Sequence, residues 1–406
     1  MKPAILVLNA GSSSLKFAVY AHTAALPMLL RGSIAALGHA PRLTVRSRGE
    51  ADHDRLLGNA PMSPGTAGQV IFGELARRGL TEAITAVGHR IVHGGQHFTQ
   101  PTVLTAAVIG QLHQLAPLAP LHLPTNLEIV ALARDQLPTA LQIGAFDTAF
   151  HSGRPNLDRL YALPRNLSDD GIVAYGFHGL SYAHIAAVLR ARDGPRAGCR
   201  TIVAHLGSGA SLCAMVSGHS IATTMGFSAL DGLVMSTRCG ALDPAIVLHL
   251  MQQRQMTAEA VHDLLHHRSG LLGVSQISGD MTTLLQSADP RAAEAIALFV
   301  YRIGRSIGSL AAALGGLDTL VFTAGIGENA PRIRDLICQS AGWLGARLDT
   351  ALNELGETVI SAKKSRVEIL VIQADEERAV VEGVLACVSR GPGAPPLVAE
   401  TSGPSA

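Results

Sequence analysis

Apolar positions along the chain fall into two kinds of run. Short continuous runs (Ile5–Leu8, Phe17–Tyr20, Ala86–Val92, Thr201–His205, Leu212–Val216, Leu320–Phe322 and Glu368–Ile372) have the length and content of buried strands. Between them, Leu127–Gln136, Ser181–Arg192 and Ala292–Leu314 place apolar residues three and four positions apart, which predicts helices. The alternation predicts an α/β protein. The longest apolar stretch, Ala292 to Leu317, is interrupted by Glu294, Arg302 and Arg305. Its Ile296, Phe299, Val300, Ile303, Ile307, Leu310 and Leu314 recur at helical spacing, so it predicts a buried amphipathic helix rather than a membrane span. The Gly/Pro-rich tail from Arg390 to Ala406 has no apolar period and reads as disordered.

One internal echo organises the rest. Pro3–Tyr20 and Arg200–Val216 share a plan of apolar strand, small-residue turn, apolar strand; with a one-residue gap, Gly11 pairs with Gly207 and Asn9 with His205. The chain therefore reads as two related halves, each opening with a hairpin. Any hairpin has a turn of small residues, but two residues suffice for one, and both of these keep a longer Gly/Ser/Ala stretch. Its N–H groups and hydroxyls suit a phosphate. A third segment, Thr319 to Pro331, predicts a strand, a Gly-rich turn at Gly325-Ile-Gly327 and a helix beginning near Pro331. It also matches a dinucleotide fingerprint, which expects an acid at a strand end about 20 positions on. Asp349 has the distance, but the residues before it do not form a strand pattern. No Gly-x4-Gly-Lys-Ser/Thr loop occurs.

Composition narrows the class. With 48% hydrophobic and 16% charged residues over 406 positions, extensive disorder is excluded, and the length suits about two domains. A net charge of +1 supplies no long-range field for nucleic acid or an anionic membrane, so any anion must be met by local groups. The first nine residues lack the features of a signal peptide. Five scattered cysteines, never spaced Cys-x-x-Cys, argue against a disulfide framework or zinc knuckle and for a reducing cytoplasm; the acceptor pattern Asn166-Leu-Ser168 is then inert.

Several residues can carry chemistry. Of 32 Lys plus Arg only four are Lys, and Lys16 follows the Gly11-Ser-Ser-Ser turn, where a compact point charge suits a phosphate; a solvated surface Lys is the plainer alternative. Arg90, at a strand end before Gly94-Gly95, and Arg238, in a Gly-rich loop, can offer bidentate forks or make structural ion pairs. Asp147 lies among apolar residues and His178 between Phe177 and Gly179; each alone fits a satisfied core polar group. Together with the turns, they form the kit for moving a highly charged phosphoryl group. A competing cluster, His262, His266 and His267, places two imidazoles at i and i+4 as a metallohydrolase might need, without the Glu of a zincin.

These motifs resemble the acetate kinase family, within the acetate and sugar kinase/Hsp70/actin superfamily. The resemblance runs from Asn9 to Glu376 through Val-Leu-Asn-Ala-Gly-Ser-Ser-Ser-Leu-Lys16, Gly-His-Arg90-Ile-Val-His-Gly-Gly, Pro-Leu-His122, Phe-Asp147-Thr-Ala-Phe-His, Tyr-Gly-Phe-His178-Gly, His205-Leu-Gly, Thr-Arg238-x-Gly, Phe-Thr-Ala-Gly-Ile-Gly-Glu-Asn329 and Asp-Glu376-Glu. It implies two domains with duplicated actin-like ATPase (ribonuclease H-like) cores and an interdomain cleft. The first would be 1–148 with 377–406, the second 149–376 and nucleotide-binding. It also implies a homodimer acting on acetate and ATP, giving acetyl phosphate and ADP by direct in-line transfer, with Mg²⁺ (Mn²⁺ able to substitute). By motif position, Asn9 and Glu376 would serve the metal, with Lys16 and Ser12 near phosphate. Arg90 would hold the acyl carboxylate, and Arg238 and His178 the phosphoryl group in flight. His205, Leu206, Gly207, Ser208, Gly209, Asp280, Met281, Thr282, Gly325, Ile326, Gly327, Glu328 and Asn329 would contact the nucleotide. Asp147 matches the family's catalytic acid. Because a carboxylate substrate is already ionised at neutral pH, Asp147 is expected to orient an arginine or a metal-bound water rather than remove a proton.

The chain departs from the family pattern at Leu123, Ser208 (for Asn), Thr282 (for Arg), Leu180 and Tyr182 (for Thr and a second His), and Ala229 (for Pro). With Val92 and Leu121, Ala229 would line the acyl pocket, and the lost ring volume predicts that propionate is also accepted. Propionate kinase shares these motifs. From other classes, a nucleotide-dependent switch without an acyl acceptor and a metallohydrolase remain alternatives; two cationic forks disfavour the switch.

Overall fold

In a computed structural model describing residues 2–11, 13–47, 52–194 and 199–390, the chain divides into two units. One takes the chain up to Ala149 and again from Asp375; the other is Phe150–Ala374. Asp375, Glu376 and Glu377 thus belong to the first unit. Ser12 and the Gly/Pro-rich tail lie outside the described residues.

The first unit is built on β1 (Ala4–Ala10), β2 (Leu15–Ala21), β3 (Met28–Ala35), β4 (Arg42–Ser47), β5 (His53–Leu56), β6 (Ile84–Ile91), β7 (Thr102–Val103) and β8 (Leu141–Phe146), in the order β5-β4-β3-β2-β1-β6-β8-β7. β1 pairs parallel with β6 and β6 with β8, while β1, β2 and β3 run antiparallel. All seven residues of β1 are buried, as both faces of a central strand require. Leu6 and Leu8 pack with Ile71, Phe72 and Ile129 from helices Pro64–Arg77 and Leu123–Gln136. Helix Glu376–Arg390 packs on β6, β1 and β8. Its close approach depends on Gly88: a Cβ there would stand 2.6 Å from Val380 Cγ1 and 2.8 Å from Val384 Cγ2.

The second unit contains β9 (Arg200–Leu206), β10 (Ala210–Val216), β11 (His219–Thr223), β12 (Thr319–Thr323) and β13 (Glu368–Val371), ordered β11-β10-β9-β12-β13. β9 is parallel to β12 and β12 to β13, while β9, β10 and β11 are antiparallel. Order and polarity repeat those of β3-β2-β1-β6-β8, so the hairpin echo in the sequence marks a duplicated sheet. Tyr182, Ile185 and Ala186 of helix Gly179–Asp193 pack against Val203, Met215, Val321 and Leu370. Helix Pro290–Leu314 packs against β9, β10 and β11.

That helix is long and apolar enough to cross a membrane by length and composition. It nevertheless buries Ala292, Ala295, Phe299, Ile303, Ile307, Leu310, Ala311 and Leu314 against the sheet, as the periodicity predicts, with Ile296 and Val300 only half-buried at the margin. One local expectation is corrected. The Gly-rich segment after β12 is not an open turn: Ala324–Asn329 is itself a short helix, entered through Ala324 at φ 66°, and a second helix begins at Pro331. Glycine content alone does not reveal a helix held by tertiary contacts.

Candidate active site

Strand register gathers the polar residues of the first unit at one end of its sheet. On β1, Asn9 stands opposite Lys16 of β2 and beside Arg90 of β6, and Arg90 stands beside Ala145 of β8, two residues before Asp147. Arg90 Nη2 donates to Asp147 Oδ2 at 2.5 Å, in a pair whose side chains are 15% and 2% exposed. Burial opposes the Arg90 charge, but the carboxylates of Asp147 and Glu376 outweigh it and hold its pKa above the ordinary value. Its second nitrogen, Nη1, makes a long bond of 3.4 Å to the Ala10 carbonyl, and its buried Nε has no partner among the described residues.

Asn126 braces this end. Its Oδ1 accepts from Val92 N (2.9 Å) and its Nδ2 donates to the Ala10 carbonyl (3.0 Å), tying β1 to the chain leaving β6. Thr148 Oγ1 accepts from Gly94 N.

Three consecutive acids open helix Glu376–Arg390. Asn9 Nδ2 donates to Glu376 Oε2 at 2.9 Å and lies 3.4 Å from Glu377 Oε1. Arg31 on β3 pairs with Asp375 and, at 3.2 Å, with Glu377. Arg31 therefore pairs with the outer two acids, while Glu376 accepts from Asn9 and its charge acts on Arg90. This arginine was not anticipated, because it sits on a strand of mixed polarity 344 positions from its partner.

In the second unit His178 caps helix Gly179–Asp193 from a left-handed backbone conformation at φ 58°, a geometry that His tolerates and that recurs at functional positions. Its Nδ1 is 2.8 Å from Ser211 Oγ, and its ring stacks on His205 with centroids 4.1 Å apart. His205 is held by Ser181 through Nδ1 at 2.8 Å. The β9–β10 turn closes with Gly207 N donating to the Gly209 carbonyl. A Cβ on Gly209 would stand 3.2 Å from His178 Nε2 and 3.7 Å from Arg238 Nη1, so both cross-loop groups converge on a bare backbone. Arg238 Nη1 also donates to the Ala229 carbonyl at 3.2 Å. Ser208 joins the same loop system through its carbonyl, which accepts from Ser236 N.

The short helix Ala324–Asn329 is braced from within and from neighbouring segments. Glu328 Oε1 accepts from Ala324 N and Ala374 N, and Asn329 Nδ2 donates to the Gly325 carbonyl. Fully buried Arg334 donates to the carbonyls of Gly327 and Glu328 and to Asn353. On this helix Gly325 and Asn329 are exposed and Ile326 is half-buried, whereas Gly327 is buried and the Glu328 carboxylate is occupied. Leu206 is buried on β9. Asp280 caps the helix Met281–Gln286, accepting from Thr283; Met281 is buried and Thr282 exposed.

Other candidates stand apart. Lys16 is exposed. Val92 is buried and Leu121 exposed in the first unit, while half-buried Ala229 belongs to the second. His262 and His266 stack at 4.1 Å, but His266 Nδ1 bonds its own helix at the His262 carbonyl, and no group of three metal-ligating side chains occurs among the described residues. Asp349 caps a helix rather than ending a strand, which removes the dinucleotide fingerprint.

A duplicated five-strand plan, with polar residues at the strand ends that open each repeat, defines an actin-like ATPase-type fold. Residues 4–382 match the model of the acetokinase family. The chain is 50% identical over 391 residues to an acetate kinase of Rhodopseudomonas palustris (95% of this chain, 98% of that one) and 45% identical to an acetate kinase of Rhizobium meliloti over the same shares. Among solved structures it resembles a propionate kinase from Francisella tularensis (TM-score 0.87, 33% identity, 94% and 98% of the two chains) and an acetate kinase from Porphyromonas gingivalis (TM-score 0.84, 33% identity, 95% and 100%). The chain belongs to the acetokinase family.

Proposed function

We propose that this chain transfers the γ-phosphoryl group of ATP to acetate, reversibly and in line, giving acetyl phosphate and ADP, in the cytoplasm and as a homodimer. The observation that carries the reading is Arg90: a guanidinium fixed by Asp147 at a strand end, with a buried Nε that an anionic ligand would complete. In this reading Arg90 holds the acetate carboxylate and Asp147 orients Arg90. His178 and Arg238 stabilise charge on the equatorial phosphoryl oxygens, and the segments 205–209, 280–282 and 325–329 receive the nucleotide. Lys16 serves phosphate; exposure and a position beside Asn9 support that role.

Asn9 and Glu376 would hold Mg²⁺. The Asn9 amide and the Glu376 carboxylate lie 2.9 Å apart and both offer oxygen donors, which suits a hard cation. When bound, the ion supplies charge neutralisation at the transferring phosphate. Five free cysteines support a reducing compartment. Helix Pro244–Gln252 exposes Ile246, Leu248 and Met251 with no charged residue, which supports a face covered by a second copy.

Propionate is the second substrate to consider, because Ala229 is smaller than the Pro of the family pattern and a similar structure carries that name. The test is hydroxylamine trapping of acyl phosphate from ATP and Mg²⁺ with acetate, propionate or butyrate, beside Arg90→Ala. Product from acetate that disappears in the variant supports the reading, and no product from any acid with ATP binding intact overturns it. Propionate turnover hundreds-fold below acetate would remove the second substrate.

A further inference from the structure

The second unit carries a buried pair of hydroxyls behind His178. Ser211 on β10 and Tyr182 in helix Gly179–Asp193 are both fully buried. Ser211 Oγ lies 2.8 Å from His178 Nδ1 and 2.5 Å from Tyr182 OH. Among the described residues these are its two partners, and Ser211 is the phenol's one partner.

Counting hydrogens leaves one arrangement. Tyr182 packs among Ile185, Val203, Met215 and Leu370, where burial pushes its phenol well above the ordinary value, so it keeps its proton and donates it to the acceptor in reach, Ser211 Oγ. The Ser211 hydrogen must then turn to His178 Nδ1, which has to present a lone pair, so the ring hydrogen sits on Nε2. With the hydrogen on Nδ1 instead, Ser211 must accept it, and then either the phenol hydrogen (Ser211 donating to Tyr182) or the Ser211 hydrogen (Ser211 accepting from both) is left without an acceptor. An imidazolium does the same. That loss disfavours both by about tenfold to hundredfold. Nε2 is the ring atom facing the Gly209 loop, where Arg238 also converges.

We propose that Tyr182 and Ser211 form a relay that fixes His178 as its Nε2–H tautomer, so that it meets the phosphoryl group as a neutral hydrogen-bond donor. The inference rests on the role of His178 proposed above. Tyr182 and Ser211 are positioning residues that act through His178. The stacked His205 ring, itself held by Ser181, keeps the imidazole plane fixed while the relay sets its proton.

Nitrogen-15 NMR of the full chain labelled at histidine reads the tautomer without turnover, with His178→Ala assigning the signal. The native chain should show His178 with an unprotonated Nδ1 and a protonated Nε2. Tyr182→Phe keeps the ring packing and removes only the hydroxyl; it should mix the tautomers and lower kcat about threefold to tenfold, with KM for ATP and acetate within about twofold. Ser211→Ala should shift the same signal further. A native His178 carrying its proton on Nδ1, or a tautomer unchanged in Tyr182→Phe, overturns the relay. If the tautomer responds as stated while His178→Ala turns over like the native chain, the relay stands and the proposed role of His178 falls.

Discussion

The Arg90–Asp147 pair separates two meanings of a buried acid: proton acceptor or support for a cation. The perturbation is Asp147→Asn, which keeps the shape and one acceptor oxygen but removes the charge. A bond to a charged group contributes about 1.5–3 kcal/mol, while stranding a buried charge entirely costs about 3–5 kcal/mol. Glu376 also favours the Arg90 charge, so the lower half applies, and a loss of about 2–3 kcal/mol of stability is expected. Arg90→Met removes the cation beside the 2%-exposed Asp147 carboxylate instead, with a loss of similar size. Because each single change spoils the same contact, the double variant should cost about 2 kcal/mol less than the sum. Denaturant melts followed by circular dichroism measure the cycle. In the same proteins, kcat/KM for acetate should fall about tenfold to hundredfold in Asp147→Asn, with no change in the shape of the pH profile between about pH 6 and 9, since the substrate is already a carboxylate. Additive single effects, or a native pH limb that vanishes in Asp147→Asn, would refute the argument.

Burial lowers the pKa of His89 and His93 to about 4 and of His151 to about 3. The unfolded chain therefore binds up to three protons that the fold refuses. Stability should be full above about pH 6.5 and be lost as pH falls toward 4, with a slope on the order of 4 kcal/mol per pH unit at its steepest; a Tm independent of pH over that window would count against the buried neutral imidazoles. Arg334→Met removes the donors to Gly327, Glu328 and Asn353, so it should cost about 3 kcal/mol and raise KM for ATP more than for acetate. An equal rise in both would detach Arg334 from the nucleotide segment. Leu248→Glu, at a residue 55% exposed, should leave Tm within about 1 °C but convert a dimer to monomer by light scattering, and an unchanged mass would exclude that helix as the interface.

What could be read in the sequence was what local pattern encodes. Fully buried strands such as β1, β9 and β12 stand out as apolar runs, and the long helix Pro290–Leu314 shows its period because one face meets a sheet and the other does not. Edge strand β5 and its neighbour β4 were missed because they expose residues such as His53, Asp54 and Arg42, and buried β8 was missed because Gln142 and Gly144 interrupt its apolar run. The site was legible only where motif residues sit on those same runs. Asn9, Arg90 and Asp147 could be named from sequence, but their convergence depends on parallel register across 57 or more positions. Arg31, Asn126 and Ser211 had no local mark at all. Each is an ordinary polar residue whose part is set by a partner brought in from another element.

The duplication explains why those partners differ between the units. Asn9 and His205 hold equivalent places near the end of β1 and β9, each flanked by one antiparallel and one parallel neighbour: Lys16 and Arg90 for Asn9, Ser211 and Thr323 for His205. One backbone plan thus places an amide between two cations in the first unit and an imidazole between two hydroxyl residues in the second. Charges at a buried strand end need fixed counter-charges, and the first unit supplies them in Asp147 and in the acids shared between Arg31 and Asn9. Imidazoles in the second unit are met instead by hydroxyls, which add no charge: Ser211 stands at His178 Nδ1 and Ser181 at His205 Nδ1. A carboxylate acceptor is an anion from the start and is best met by a full cation. The planar phosphoryl group gains charge on its oxygens only as it moves, so in the role proposed for them His178 and Arg238 would favour the transition state over the bound nucleotide.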